Sequence, residues 1–116
     1  AVHLRATGEL LGDCGITMQQ IHGQHLPEIG FHMKKSVWGQ GYATEAARAC
    51  LTWGMQQTDF PAFYCYQKST NLPSRRVAEK LGMTLQEIYA DPVHTFTSVY
   101  AITRVKFFAE TQNALL

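Results

Sequence analysis

The chain has 116 residues, 46% of them hydrophobic and 16% charged, with ten basic side chains against nine acidic ones and a net charge of +1. That composition fits one globular domain, residues 1–116, burying roughly 65% of its unfolded surface, and excludes a disordered tail or a fibre. The near-neutral balance offers no basic surface for nucleic acid or an anionic membrane, and no apolar run approaches the ~18 residues of a bilayer span.

The N-terminus, Ala1-Val2-His3-Leu4-Arg5, lacks the charged and apolar regions of a signal peptide. Residues 4–7 and 10–19 read as two strands joined at the polar tip Thr7-Gly8-Glu9. Gly12 and Gly15 interrupt the second strand and point to a bulge or a close backbone contact. Residues 21–26 read as a solvated loop carrying His22 and His25. With no third ligand nearby, these make no metal site, and none is expected. Cys14, Cys50 and Cys65 are odd in number and form no C-x-x-C pair. They read as buried free thiols in a reducing, cytoplasmic compartment.

The chain is organised around residues 28–46. Residues 28–33 alternate as a strand, with Ile29, Phe31 and Met33 on one face and Glu28, Gly30 and His32 on the other. The strand breaks at Val37-Trp38-Gly39-Gln40-Gly41-Tyr42-Ala43-Thr44, and a helix runs on to about Gln57. Its stripe of Ala43, Ala46, Ala47, Cys50, Leu51 and Gly54 suits close packing on a sheet. A strand, a glycine turn and a helix start form a device for holding phosphate. The glycines clear space for close approach, and the first helical N–H groups point at the anion. An ordinary helix-capping turn is the bland reading of the same residues.

Pro61 marks the helix exit, and residues 62–66 form a short aromatic strand. Asn71 and Pro73 start a second helix that runs to a Gly82 stop. Residues 83–89 read as a strand, Asp91-Pro92 as a turn, and residues 96–107 as a long last strand. The order is β-β-β-α-β-α-β-β, an α/β (or α+β) class with a mixed sheet.

These residues resemble the GCN5-related N-acetyltransferases (GNAT). That family's pyrophosphate signature, Gln/Arg-x-x-Gly-x-Gly/Ala, is similar to Trp38-Gly39-Gln40-Gly41-Tyr42-Ala43 here. Trp38 departs from the signature, and W-G-x-G-Y-A-T-E-A looks like the ribosomal-protein alanine N-acetyltransferase branch. A second block, N-x-x-S-x-x-V-x-E-K-L-G, matches Asn71, Ser74, Val77, Glu79, Lys80, Leu81 and Gly82. A third and weaker one is residues 100–104. The resemblance runs the length of the chain from the family's second strand. It implies a mostly antiparallel sheet with helices on both faces, and a first strand and two helices ahead of Ala1.

The resemblance also implies a function. Acetyl-CoA would bind as co-substrate, with its acetyl group moving to a primary amine, a protein N-terminus or a small amine, by direct attack in a ternary complex. Gly39, Gln40, Gly41, Tyr42, Ala43 and Thr44 would cradle the pyrophosphate beside Trp38, with Glu45 turned away. Backbone groups of Phe31, His32 and Met33 would pair with pantetheine where the strand splays from its neighbour, with Gly30 the candidate position for a bulge. Asn71 would bond the pantetheine arm and Ser74 would sit near the sulfur. Glu28 is the candidate general base, with His32 as the alternative. The tyrosine that many relatives use to protonate the thiolate is replaced by Ala78, which leaves Ser74 or water. Another frequent base position holds Tyr66. Lys34, Lys35, Arg75 and Arg76 are either phosphate partners or solvated charges.

A non-catalytic CoA-binding module is the rival reading. A nucleotide-binding domain lacks its motifs, since neither G-x-x-x-x-G-K-[ST] nor G-x-G-x-x-G occurs. Without the elements expected ahead of Ala1, an unpaired edge near Leu4 is expected either to pair in a homo-dimer or to be covered by an N-terminal part of a longer protein.

Overall fold

In the computed structural model, which describes residues 1–92 and 95–114, residues 10–33 build one long hairpin. Strands β2 (Leu10–Ile21) and β3 (Gln24–Met33) pair without a break, from Gly12 opposite Met33 to Ile21 opposite Gln24. The loop expected over residues 21–26 is instead the two-residue turn His22-Gly23, both left-handed at φ 49° and 79°. Such turns match the right-handed twist of paired strands, and the His-Gly pair is their signal. A Cβ at Gly12 would collide with the His32 carbonyl, so this glycine serves close approach. The bulge considered at Gly30 does not form, because Gly30 pairs directly with Gly15.

The first strand is shorter and earlier than expected. Strand β1 is Val2–His3, and residues 4–9 connect it to β2, held by the Leu4 N–H donating to the Glu9 carbonyl at 2.8 Å. After a 3-10 turn at Lys35–Val37 come α1 (Tyr42–Gln57), β4 (Ala62–Lys68), α2 (Leu72–Lys80), β5 (Thr84–Asp91), β6 (Thr95–Thr103) and α3 (Arg104–Ala114). The sheet order is β1-β2-β3-β4-β6-β5, antiparallel except where β3 meets β4.

The long last strand expected over residues 96–107 ends at Thr103. Its hydroxyl accepts the Lys106 N–H at 3.1 Å, an N-cap bond that opens α3. Phe107 packs against the core while Val105 stays 81% exposed. That break in alternation separates a helix from a continuing strand.

Ala47, Leu51 and Met55 of α1, Ala78 of α2, Phe63 and Cys65 of β4, and Tyr100 and Ile102 of β6 form the core. Gly54 lets α1 lie close on the sheet, since a Cβ there would sit 2.6 Å from the Phe63 ring. Glu28, Tyr64 and Tyr66 have the opposite parity and face the other side of the sheet. There the tip of the β2–β3 hairpin reaches β5. His22 Nε2 lies 2.6 Å from Glu87 Oε1, and its ring meets Tyr89 edge-on at 4.9 Å. Strands β4 and β6 lie between these elements in the sheet, so the hairpin curls across this face.

Candidate functional site

The site begins where β3 and β4 part. Glu28 opposite Tyr64 is the sole register pair between them among the described residues. Beyond it, among the described residues, no further register pair joins Tyr66 to β3. The Tyr66 N–H donates to a side chain, Glu28 Oε2 at 3.1 Å, so a carboxylate closes the fork of the splay. Burial raises the Glu28 carboxyl above its ordinary 4.5, and the Tyr66 N–H opposes that shift. The Tyr66 hydroxyl is buried without a hydrogen-bond partner. Burial, reinforced by Glu28, pushes its pKa up and keeps it neutral.

The splay opens into a cavity of about 570 Å³ between the end of β3, the loop before α1 and the start of α2. Phe31, His32, Met33, Trp38, Gly39, Gly41, Tyr42, Ala43, Thr44, Asn71 and Ser74 line it. Of the expected cofactor residues, only Gln40 is not in this wall. Gly39 and Gly41 are left-handed at φ 81° and 83°, and a β-carbon at either would meet open space. No side chain caps α1, so its first N–H groups stay available at the cavity floor. Glu45 does not line this cavity; with Arg48 it lines an adjoining hollow that shares Gly41, Thr44 and Lys80 with it. At α2, the Ser74 N–H donates to Asn71 Oδ1 at 3.3 Å, so Asn71 caps this helix as well as facing the cavity.

The basic candidates divide. Arg76 lines the cavity, joined by Lys80, which was not among the expected cations. Pro73, Arg76, Val77 and Lys80 fall at i, i+3, i+4 and i+7, a helical stripe legible in the sequence. Arg75 is committed elsewhere, donating to the Tyr100 hydroxyl at 3.1 Å and the Ser69 carbonyl at 3.0 Å. Lys35 stands 6.0 Å over the Trp38 ring. Ala78 is fully buried in the core, so no titratable group occupies the usual tyrosine position.

The three cysteines are free. Only Cys65 is fully buried, and its thiol donates to the Ile29 carbonyl at 3.4 Å. Cys14 and Cys50 are half-buried, their sulfurs 3.5 Å apart between β2 and α1. Burial, then Cys50, pushes the Cys14 thiol up to about 12.

One parallel strand pair thus parts after a single register position, and an uncapped helix start faces the gap. The chain belongs to the GNAT acetyltransferases: residues 1–84 match the family described as Acetyltransferase (GNAT) domain. It is 48% identical over 79 residues to the uncharacterized protein YkkB of Bacillus subtilis (strain 168), matching 68% of this chain and 46% of that one. The chain thus spans about half the length of the curated relatives it matches.

Among solved structures, a GNAT-family acetyltransferase from Bacillus anthracis superposes with TM-score 0.74 at 28% identity, covering 89% of this chain and 64% of that one. A ribosomal L7/L12 alpha-N-protein acetyltransferase solved in complex with coenzyme A shares the fold. It gives TM-score 0.62 at 22% identity, over 67% of this chain and 47% of that one.

Proposed function

We propose that this chain is the acetyl-CoA-binding part of an N-acetyltransferase acting on a primary amine. The observation that carries the reading is the open fork. The β3 edge, the uncapped α1 start and the Asn71–Ser74 turn converge on one cavity. The coenzyme A held by a protein of the same fold supports that ligand. Acetyl-CoA supplies the activated acetyl thioester; the rest is done by the chain.

The α1 N–H groups and the open space at Gly39 and Gly41 receive the pyrophosphate. Arg76 and Lys80 bring positive charge to the same wall. Phe31–Met33 pair with the pantetheine amides as a strand would. Glu28 takes the amine proton, directly or through water, with its raised pKa moving it toward the working range of a base. His32, which lines the cavity where Glu28 does not, is the alternative base. Ser74, or water beside it, returns a proton to the thiolate. Free thiols fit a reducing, cytoplasmic setting.

The buried Ala78 favours a second reading, a CoA-binding module without turnover. Calorimetry with CoA, alongside acetyl-CoA turnover on a panel of N-terminal peptides, small amines and aminoglycosides, separates the two. CoA affinity with turnover supports the enzyme, and CoA affinity without turnover on any amine supports the module. Equal affinity for ATP and CoA overturns both.

A further inference from the structure

We infer that Trp38 is the positioning residue of the phosphate cradle, acting through its indole N–H and not through charge. This rests on the reading of the splay cavity as a CoA site. The Trp38 Nε1–H donates to the carbonyl of Met33, the last residue of β3, at 2.9 Å. Among the described residues it is the one side-chain hydrogen bond made by segment 34–41. Its main-chain bonds include Lys34 N–H to the Leu11 carbonyl, Val37 N–H to Lys34, Trp38 N–H to Lys35, and Glu45 N–H to the Gly41 carbonyl.

From Trp38 onward the backbone passes through Gly39 and Gly41, where a β-carbon would meet open space, and then enters an uncapped helix. A glycine segment of this kind has many conformations to lose when it closes on an anion. The indole bond ties that segment back onto the strand end that forms the opposite wall of the cavity. One side chain thereby sets the spacing between the edge that pairs with the pantetheine arm and the N–H groups that meet the phosphates. The family signature has Gln or Arg at this position, and an arginine there would add a cation. Trp38 adds none, so its contribution is preorganisation: the loop is ordered before the ligand arrives. The ring itself is 53% exposed, so the core does not depend on it.

The test is Trp38→Phe, which keeps an aromatic ring and removes the donor. CoA affinity is read by calorimetry, and amide hydrogen exchange is read along the free chain. Loss of one such bond should raise the CoA Kd about five- to tenfold. Protection should fall at the Val37 and Trp38 amides, which bond the Lys34 and Lys35 carbonyls, and stay unchanged in β4 and β6. An unchanged Kd overturns the inference, as does unchanged protection in the loop. Protection lost across the whole sheet would show a general structural role and also overturn it. If the parent chain binds no CoA, the functional reading fails by itself, and the exchange comparison still decides whether the indole holds the loop.

Discussion

Helix α1 has two ends that the chain treats in opposite ways. At its C-terminus the Arg104 guanidinium donates to the carbonyls of Met55 at 2.7 Å, Phe60 at 3.1 Å, and Thr58, while the Thr58 hydroxyl bonds Gly54 O at 2.6 Å. A cation also suits the negative end of the helix dipole. At its N-terminus no side chain caps the helix, Gly41 supplies a bare left-handed entry, and a cavity faces the N–H groups. Both ends begin with the same excess of unpaired backbone groups. One is satisfied by the fold, and the other opens uncapped onto the cavity. The splay repeats the contrast within one residue: Glu28 answers the Tyr66 N–H, while the Tyr66 hydroxyl has no partner.

The contrast can be broken from the reactive side first. If Glu28 takes the amine proton, Glu28→Gln should lower kcat by roughly 10²–10⁴-fold in the complete enzyme, with little change in acetyl-CoA affinity. A steady-state assay that finds the parent rate would move the base to His32 or solvent. The same variant sharpens the structural half. The Glu28 pKa is raised on folding, so its contribution to stability is fully present below its unfolded value near 4.5 and is lost as pH rises through the folded one. Glutamine keeps an acceptor for the Tyr66 N–H. Its melting temperature should therefore match or exceed the parent's at pH 7, with the parent gaining relative to it as the pH is lowered.

At the satisfied end, Arg104→Met strands three carbonyls and should cost about 2–3 kcal/mol of stability, read by urea unfolding. CoA affinity of the folded fraction should be little changed, because the ligand meets the other end of the helix. At the open end the pattern should reverse. Gly41→Glu places a β-carbon at φ 83° and a carboxylate in the cradle. CoA binding should fall at least tenfold, about 1.4 kcal/mol or more. A variant that binds CoA as tightly as the parent would remove the loop from the site. Smallest of all, Tyr66→Phe deletes a hydroxyl with no partner in the free protein. It should leave stability within about 0.5 kcal/mol of the parent, or raise it. A loss of 2 kcal/mol by thermal melting would show that the hydroxyl is already satisfied.

The local devices were legible in the chain because each is written within a few neighbouring residues. The glycine turn into α1, the Asn71 and Pro73 start of α2, and the small-residue stripe of α1 all depend on short-range geometry. The expectation that Phe31–Met33, the glycine loop, Asn71 and Ser74 lie together came instead from resemblance to a family, and they line one cavity. The end of β6 was misread because Phe107 and Phe108 extend an apolar run, while the Thr103 cap that stops the strand is a single hydroxyl.

What only the tertiary structure decided concerns groups that meet from distant parts of the chain. The resemblance offered Arg75 as a phosphate partner or a solvated charge, but Tyr100, twenty-five residues on, claims its guanidinium. Glu28 read as a solvent-facing strand residue or a base. The divergence of β4 from β3 makes it the acceptor for a stranded N–H, and partial burial then raises its pKa. The tip at His22 read as a loop, but it is a tight turn that crosses the sheet to β5. The physical reason is the same in each case. Local propensity and alternation act over one or two turns of chain, whereas the partner of a polar group is set by which strands lie side by side and where they separate.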